Sequence, residues 1–215
     1  MRSSADLPVA ERVDAPGLLV IDMQNDFVRQ GAPLEVAEAR DTIVPIQRLI
    51  ETFRKLGRPV IYTRFLAEQE PGLMWLWSPQ CDATVKCCWE GATREYADAS
   101  GALECIAVID ELAPLPGDPV IDKYAYGSFH GTDLDRLLRE LGVRSLVVTG
   151  TVAQICVDQT AREAMQHGYR TVLVSDGVSS FDPELKAATL KNFAMKFGWV
   201  ADSNTVIDWL DGEGR

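Results

Sequence analysis

The sequence predicts a three-layer α/β/α domain built on a mostly parallel central sheet. Short, largely apolar runs recur at residues 60–63, 119–122, 146–149 and 171–174, and residues 17–21 are continuously apolar, as in a strand buried on both faces. Segments with helical spacing separate most of them, and strands that alternate with helices favour right-handed crossovers and a parallel sheet. No repeat, low-complexity tract or linker interrupts the alternation. At 215 residues and 23.7 kDa the chain suits a single core. The expected division is a polar, flexible lead-in over residues 1–16 and one domain over residues 17–215.

The first strand, Gly17-Leu18-Leu19-Val20-Ile21, ends abruptly at Asp22. A polar loop with Gly31 and Pro33 as breakers leads to Ile43, Ile46, Leu49, Ile50, Phe53 and Leu56, spaced as one apolar helix face and stopped by Gly57. Val60-Ile61-Tyr62-Thr63 is the second strand. Residues 64–116 hold several tryptophans and four of the five cysteines and read as long loops, in which 106–109 is open between helix and strand. Pro119-Val120-Ile121-Asp122 is a short strand ending in Lys123. Thr132 or Asp133 then caps a helix carrying Leu134, Leu137, Leu138 and Leu141. The run 146–149 breaks at Gly150 and enters a helix bearing Cys156. A strand at 171–174, a helix from about Pro183 to Lys196, and an edge strand with a closing helix over 199–210 complete the chain.

The net charge of −11 repels phosphate backbones and anionic lipid, so nucleic acid and membrane partners are not expected. No run has the length to span a bilayer, the first residues lack the apolar core of a signal peptide, and the cysteine spacing suggests no disulfide framework. A cytoplasmic enzyme is the expectation.

Three strands end in a chemically capable residue: Asp22, Lys123 and Cys156. In a parallel sheet those ends share one edge, so the three residues can converge. A carboxylate, an ammonium and a thiol together suit nucleophilic attack on a carbonyl, with the carboxylate as proton acceptor. A cysteine in the first turn of a helix also meets unpaired N–H groups that favour its thiolate. Phe27, Tyr124, Tyr126 and Phe129 flank these residues and are expected to wall a small pocket, with core packing as the competing role. Gln24 and Gln154 are expected to orient a polar substrate, and Trp75 and Trp77 to cover it. His130 is an alternative partner for Cys156, His167 suits a helix C-terminus, and Cys81, Cys87 and Cys88 lack the spacing of a common zinc site.

The blocks Asp22-Met23-Gln24-Asn25-Asp26-Phe27, Asp122-Lys123 with Gly127-Ser128-Phe129, and Gly150 to Val157 resemble the signature blocks of the isochorismatase-like cysteine hydrolases. The resemblance runs from Gly17 to Leu210 and implies a Rossmann-like fold. It implies Asp22 as general base and then acid, Lys123 as electrostatic partner and Cys156 as nucleophile. It further implies a cis peptide at Thr151-Val152, an oxyanion hole from the N–H groups of Val152 and Cys156, no cofactor, and a homo-oligomer such as a dimer or tetramer. Cys156 favours hydrolysis of an amide, ureido or carbamoyl C–N bond over the vinyl-ether cleavage of true isochorismatases. The alternatives are that vinyl-ether reaction, an antibiotic lactam hydrolase, or a non-catalytic scaffold. Nicotinamidases carry an Asp-x-His metal motif where this chain has Thr63-Arg64-Phe65-Leu66, so no metal is expected.

Overall fold

Six strands form one sheet in the order β5-β2-β1-β6-β7-β8, and every pairing in it is parallel. The computed structural model describes residues 12–67, 77–78 and 82–212. In chain order the elements begin with β1 (Pro16–Ile21), a short α1 (Asn25–Val28), a 3₁₀ turn (Ala37–Thr42), α2 (Ile43–Lys55) and β2 (Val60–Phe65). After the 64–116 region come β5 (Val120–Lys123), α3 (Leu134–Glu140), β6 (Ser145–Thr151), α4 (Asp158–Gln166), β7 (Arg170–Ser179), α5 (Pro183–Lys196), β8 (Trp199–Ala201) and α6 (Ser203–Gly212). Among the described residues no helix is long and apolar enough to cross a membrane.

The period-2 alternation of the central strands splits the core into two layers. Leu18 and Val20 of β1 meet Ile46, Leu49, Ile50 and Phe53 of α2 and Val206 and Leu210 of α6. Leu19 and Ile21 face the other way, toward Leu134 and Leu138 of α3, Ala161 and Ala164 of α4 and Phe193 of α5. Each fully buried Leu, Ile or Phe contributes about 1.5–3 kcal/mol by leaving water. Helix α5 is capped at its start by the Asp182 side chain, which accepts from the N–H groups of Glu184 and Leu185, with Pro183 in its first turn.

Several boundaries differ from the sequence reading, each for a local reason. Val13 is fully buried and Asp14 pairs with Arg144 and Arg170, so the packed chain starts before Gly17. The 64–116 region contains a small antiparallel pair, β3 (Thr93–Glu95) with β4 (Ala102–Glu104). Residues 106–109 are neither helix nor regular strand. They hydrogen-bond the turn after β1, through Asn25 N–H to Ala107 O and Ile109 N–H to Met23 O, with one bridge from Gln24 to Val108. Strand β7 continues past Asp176-Gly177 to Ser179, across a register shift against β6 between Val148 and Gly150. Asp176 caps α6 by accepting from Ser203 N and Oγ.

Gly150 marks the close approach of β6 to β1. Its φ is +112°, and a Cβ there would collide with the Ile21 backbone, its carbonyl oxygen first. Both penalties act together. Gly150→Ala is expected to destabilise the fold by about 3 kcal/mol or more, read as a lower urea midpoint. A midpoint within experimental error of the parent would mean that β6 has room to move.

Candidate active site

The ends of β1, β5 and β6 bring the three strand-end residues together. Asp22 takes a left-handed backbone conformation (φ +52°), which turns the chain out of β1 while its carboxylate stays inside. Asp tolerates this region better than most residues, and such strain gathers at functional sites. Thr63 Oγ, at the end of β2, donates to Asp22 Oδ1 at 2.6 Å. Lys123 Nζ lies 2.8 Å from Asp22 Oδ2, with both side chains fully buried. That contact is a buried ion pair, and the Cys156 thiol also reaches the Asp22 side chain, so the carboxylate stands where it can take the thiol proton. The ammonium's hydrogen bonds go to the carbonyls of Ala125 and Tyr126, at 3.1 and 3.0 Å. The Phe65 ring covers it at 5.3 Å.

Cys156 enters from a different local structure than the sequence suggests. After β6 the Thr151-Val152 peptide is cis, and residues Ala153–Val157 form a π-helical turn ahead of α4. Cys156 therefore sits before the α-helix, in a wider turn of the kind that recurs at functional sites. Its thiol interacts with both Asp22 and Lys123. The thiol is pushed up to about 12: burial, the largest influence, raises it, Lys123 pulls it down, and the Asp22 carboxylate raises it again. The resting group is a thiol, and the expectation of a thiolate favoured by the helix end is corrected: burial outweighs the dipole. Burial alone would lower Lys123, but the charge of Asp22 leads the opposing influences that hold it protonated.

Two measurable consequences follow from these directions. Asp22→Asn removes a charge that disfavours the thiolate. It is expected to move the pH midpoint for iodoacetamide alkylation of Cys156 down by about one unit or more, followed by peptide mass mapping. An unchanged or higher midpoint would mean that the carboxylate does not act on the thiol. A raised thiol also links to stability. Its contribution is complete below the unfolded value, about 8.5, and is lost as pH rises toward about 12. Wild type should therefore lose up to about 1.4 kcal/mol per pH unit between pH 9 and 11 beyond what Cys156→Ala loses.

Cys156 and Val152 line a cavity of about 260 Å³, whose wall also includes Phe27, Phe65 and Tyr126. Phe27 and Tyr126 thus stand where the sequence suggested. The other expected contacts do not. Gln24 is fully buried, and its amide mimics a strand residue, donating to Phe65 O at 3.0 Å and accepting from Phe65 N at 2.6 Å. Tyr124 is exposed. Phe129 stacks on His167 at 4.7 Å and packs near Tyr169, away from the cavity. Gln154 accepts from Ser180 Oγ beside the cavity instead of lining it. Trp77 is 69% exposed, and Trp75 lies outside the described residues. His130 is on the surface, so it is no partner for Cys156.

The rest of the wall comes from loops: Pro33, Leu34, Glu35 and Val36 after α1, Ser78, and Phe181 after β7. Glu38 ties two of these loops together by accepting from Ser180 N and pairing with Lys186. Apolar Leu34 and Val36 inside a polar loop were the available signal. Asp26 was missed as a structural residue. Its carboxylate accepts from Cys88 N, Arg94 Nε and Tyr96 OH, pinning the loop that carries Cys87 and Cys88. Asp26, Cys87 and Cys88 offer ligand atoms within 4.8 Å of one another; Asp26 Oδ1 already accepts from Arg94 and Tyr96. Cys81 lies outside the described residues.

A family model for the isochorismatase domain matches residues 16–205. The chain belongs to the isochorismatase family. Within it, the chain is 30% identical over 205 residues to the ureidoacrylate amidohydrolase RutB of Stutzerimonas stutzeri, covering 90% of this chain and 82% of the relative. A cysteine hydrolase from Pseudomonas syringae superposes with a TM-score of 0.82 at 26% identity, over 93% of each chain. The N-carbamoylsarcosine amidase of Thermoplasma acidophilum gives a TM-score of 0.69 at 33% identity, over 88% of this chain and 96% of its own. The α/β/α architecture of this isochorismatase-family hydrolase is thus shared with solved relatives.

Proposed function

We propose that this isochorismatase-family hydrolase cleaves the C–N bond of a small amide, ureide or carbamoyl compound through a thioester on Cys156. The observation that carries the reading is a buried Lys123–Asp22 pair at 2.8 Å set directly behind a thiol that lines a cavity. Amidohydrolases of the same family, similar along nearly the whole chain, support it.

In this reading Cys156 Sγ attacks the substrate carbonyl carbon as its proton passes to the Asp22 carboxylate beside it. Lys123 keeps charge balanced while the thiolate forms. The Val152 carbonyl takes the N–H groups of Ile155 and Val157, and the N–H groups of Val152 and Cys156 serve the developing oxyanion. Asp22 returns the proton to the departing nitrogen, the C–N bond breaks, and a thioester remains. Water then attacks the thioester while Asp22 takes its proton; the C–S bond breaks and the proton returns to sulfur. The products are a carboxylic or carbamic acid and ammonia or an amine.

Two assays test this. Ammonia release is measured across small amides, ureides and carbamoyl compounds. Hydroxylamine, which intercepts thioesters, is then added during turnover of an active amide and should divert product to the hydroxamate. Turnover with no hydroxamate at any hydroxylamine concentration would sink the covalent route.

A further inference from the structure

We infer that the cavity selects substrates whose acyl portion is apolar and uncharged, and rejects those that carry a carboxylate. This rests on the C–N hydrolase reading above and sharpens it to a substrate class. A site that recognises a carboxylate in a largely apolar cavity needs a cation or several free donors, because a desolvated, unpaired carboxylate is strongly disfavoured. Among the described residues that line the cavity there is no cation, and its side-chain donors are hydroxyls, with those of Ser78 and Tyr126 3.5 Å apart.

The wall is dominated by Phe27, Leu34, Phe65, Tyr126, Ile155 and Phe181. Among the described residues no lysine or arginine side chain lines it. Its charged member is Glu35, an acid. Glu35 Oε2 accepts from Gly31 N–H at 2.9 Å and Oε1 from Arg40 Nη2 at 2.8 Å; the Gly31 bond and then Arg40 hold the carboxyl below its ordinary range. It is a carboxylate at neutral pH, facing any second carboxylate with repulsion. Arg40 is engaged by Glu35 and by the Val28 carbonyl. Lys123 is engaged by two carbonyls and Asp22, and Phe65 stands over it. Residues 68–76 and 79–81, which flank Ser78 in sequence, include two glutamates and no basic residue.

The polar residues in the described lining of the cavity are few: Glu35, Ser78, Tyr126, Thr151 and Cys156. Thr151 lines it, and Thr151 Oγ is buried with no hydrogen-bond partner among the described residues. The backbone near Cys156 suits the amide or carbamoyl head, while the aromatic wall suits an apolar tail. Ureidoacrylate and N-carbamoylsarcosine both carry a carboxylate, so the preferred substrate differs from those named for the two relatives.

Matched pairs test the inference: ureidoacrylate against its methyl ester, N-carbamoylsarcosine against its methyl ester, and adipic acid monoamide against hexanamide. The uncharged member is expected to have the higher kcat/KM by about 100-fold or more. Glu35→Gln is expected to narrow that ratio by about tenfold. The same pairs are measured for binding to Cys156→Ala by calorimetry, which needs no turnover. Tighter binding of the uncharged members without hydrolysis by the parent would uphold the cavity assignment and reject the hydrolase reading. Equal or tighter binding of the carboxylates would overturn the cavity assignment, as would equal or faster hydrolysis of them, including by way of a cation from a second copy of the chain.

Discussion

Cys156→Ala is expected to lower kcat/KM toward any substrate of the parent by about 10⁴-fold or more, with the unfolding free energy from urea titration changed by no more than about 1 kcal/mol at pH 7. The asymmetry follows from what the thiol touches. Cys156 belongs to the same buried apolar cluster as Ala153, Val157 and Ala161, which a methyl group partly preserves. Its sulfur reaches only the charged pair and the cavity. Removing the nucleophile leaves backbone donors and binding, which support only residual catalysis. The other described thiols are buried elsewhere. Retention of more than a few per cent of activity would reject Cys156 as the attacking group.

Lys123→Met should be costly in both stability and rate. The side chain is fully buried, and losing its charge leaves the Asp22 carboxylate in the interior with the neutral Thr63 hydroxyl and Cys156 thiol beside it and no cation. Breaking a buried pair in this way costs about 3–5 kcal/mol, and activity should fall by about 10³-fold or more as the charge balance behind the thiol is lost. Adding Asp22→Asn to Lys123→Met removes the stranded charge. The double variant is therefore expected to recover much of the stability and none of the activity. Strict additivity of the two stability changes would show that the residues are not coupled.

The contrast between these residues and the cavity wall explains what could be read from the sequence. Asp22 and Lys123 were legible because an apolar strand stops abruptly at each, and a parallel sheet gathers such ends at one edge. Helix α2 was legible from the spacing of Ile46, Leu49, Ile50 and Phe53. Gln24 and Phe129 misled because nearness in sequence does not fix the side of a turn to which a side chain goes. Gln24 completes the hydrogen bonding of β2, and Phe129 stacks on His167. Leu34, Glu35 and Phe181 escaped because loops with no period of their own carry them to the cavity. The π turn at Cys156 has the same apolar spacing as an α-helix, so its extra residue per turn leaves no trace in the pattern.

The strand order has a consequence for how the molecule comes into being. β1 occupies the middle of the sheet, yet one of its two neighbours, β6, begins at Ser145, more than half a chain later. During synthesis β1 and β2 emerge early, and the second edge of β1 stays unpaired until β6 arrives. Such long-range parallel pairing is slow and leaves apolar strand edges open meanwhile. Cys156 follows β6 directly, so the last residue to join Asp22 and Lys123 arrives with the strand that closes the sheet. Regain of thiol chemistry during refolding would thus be a clock for closure of the sheet, running behind any probe of helix formation.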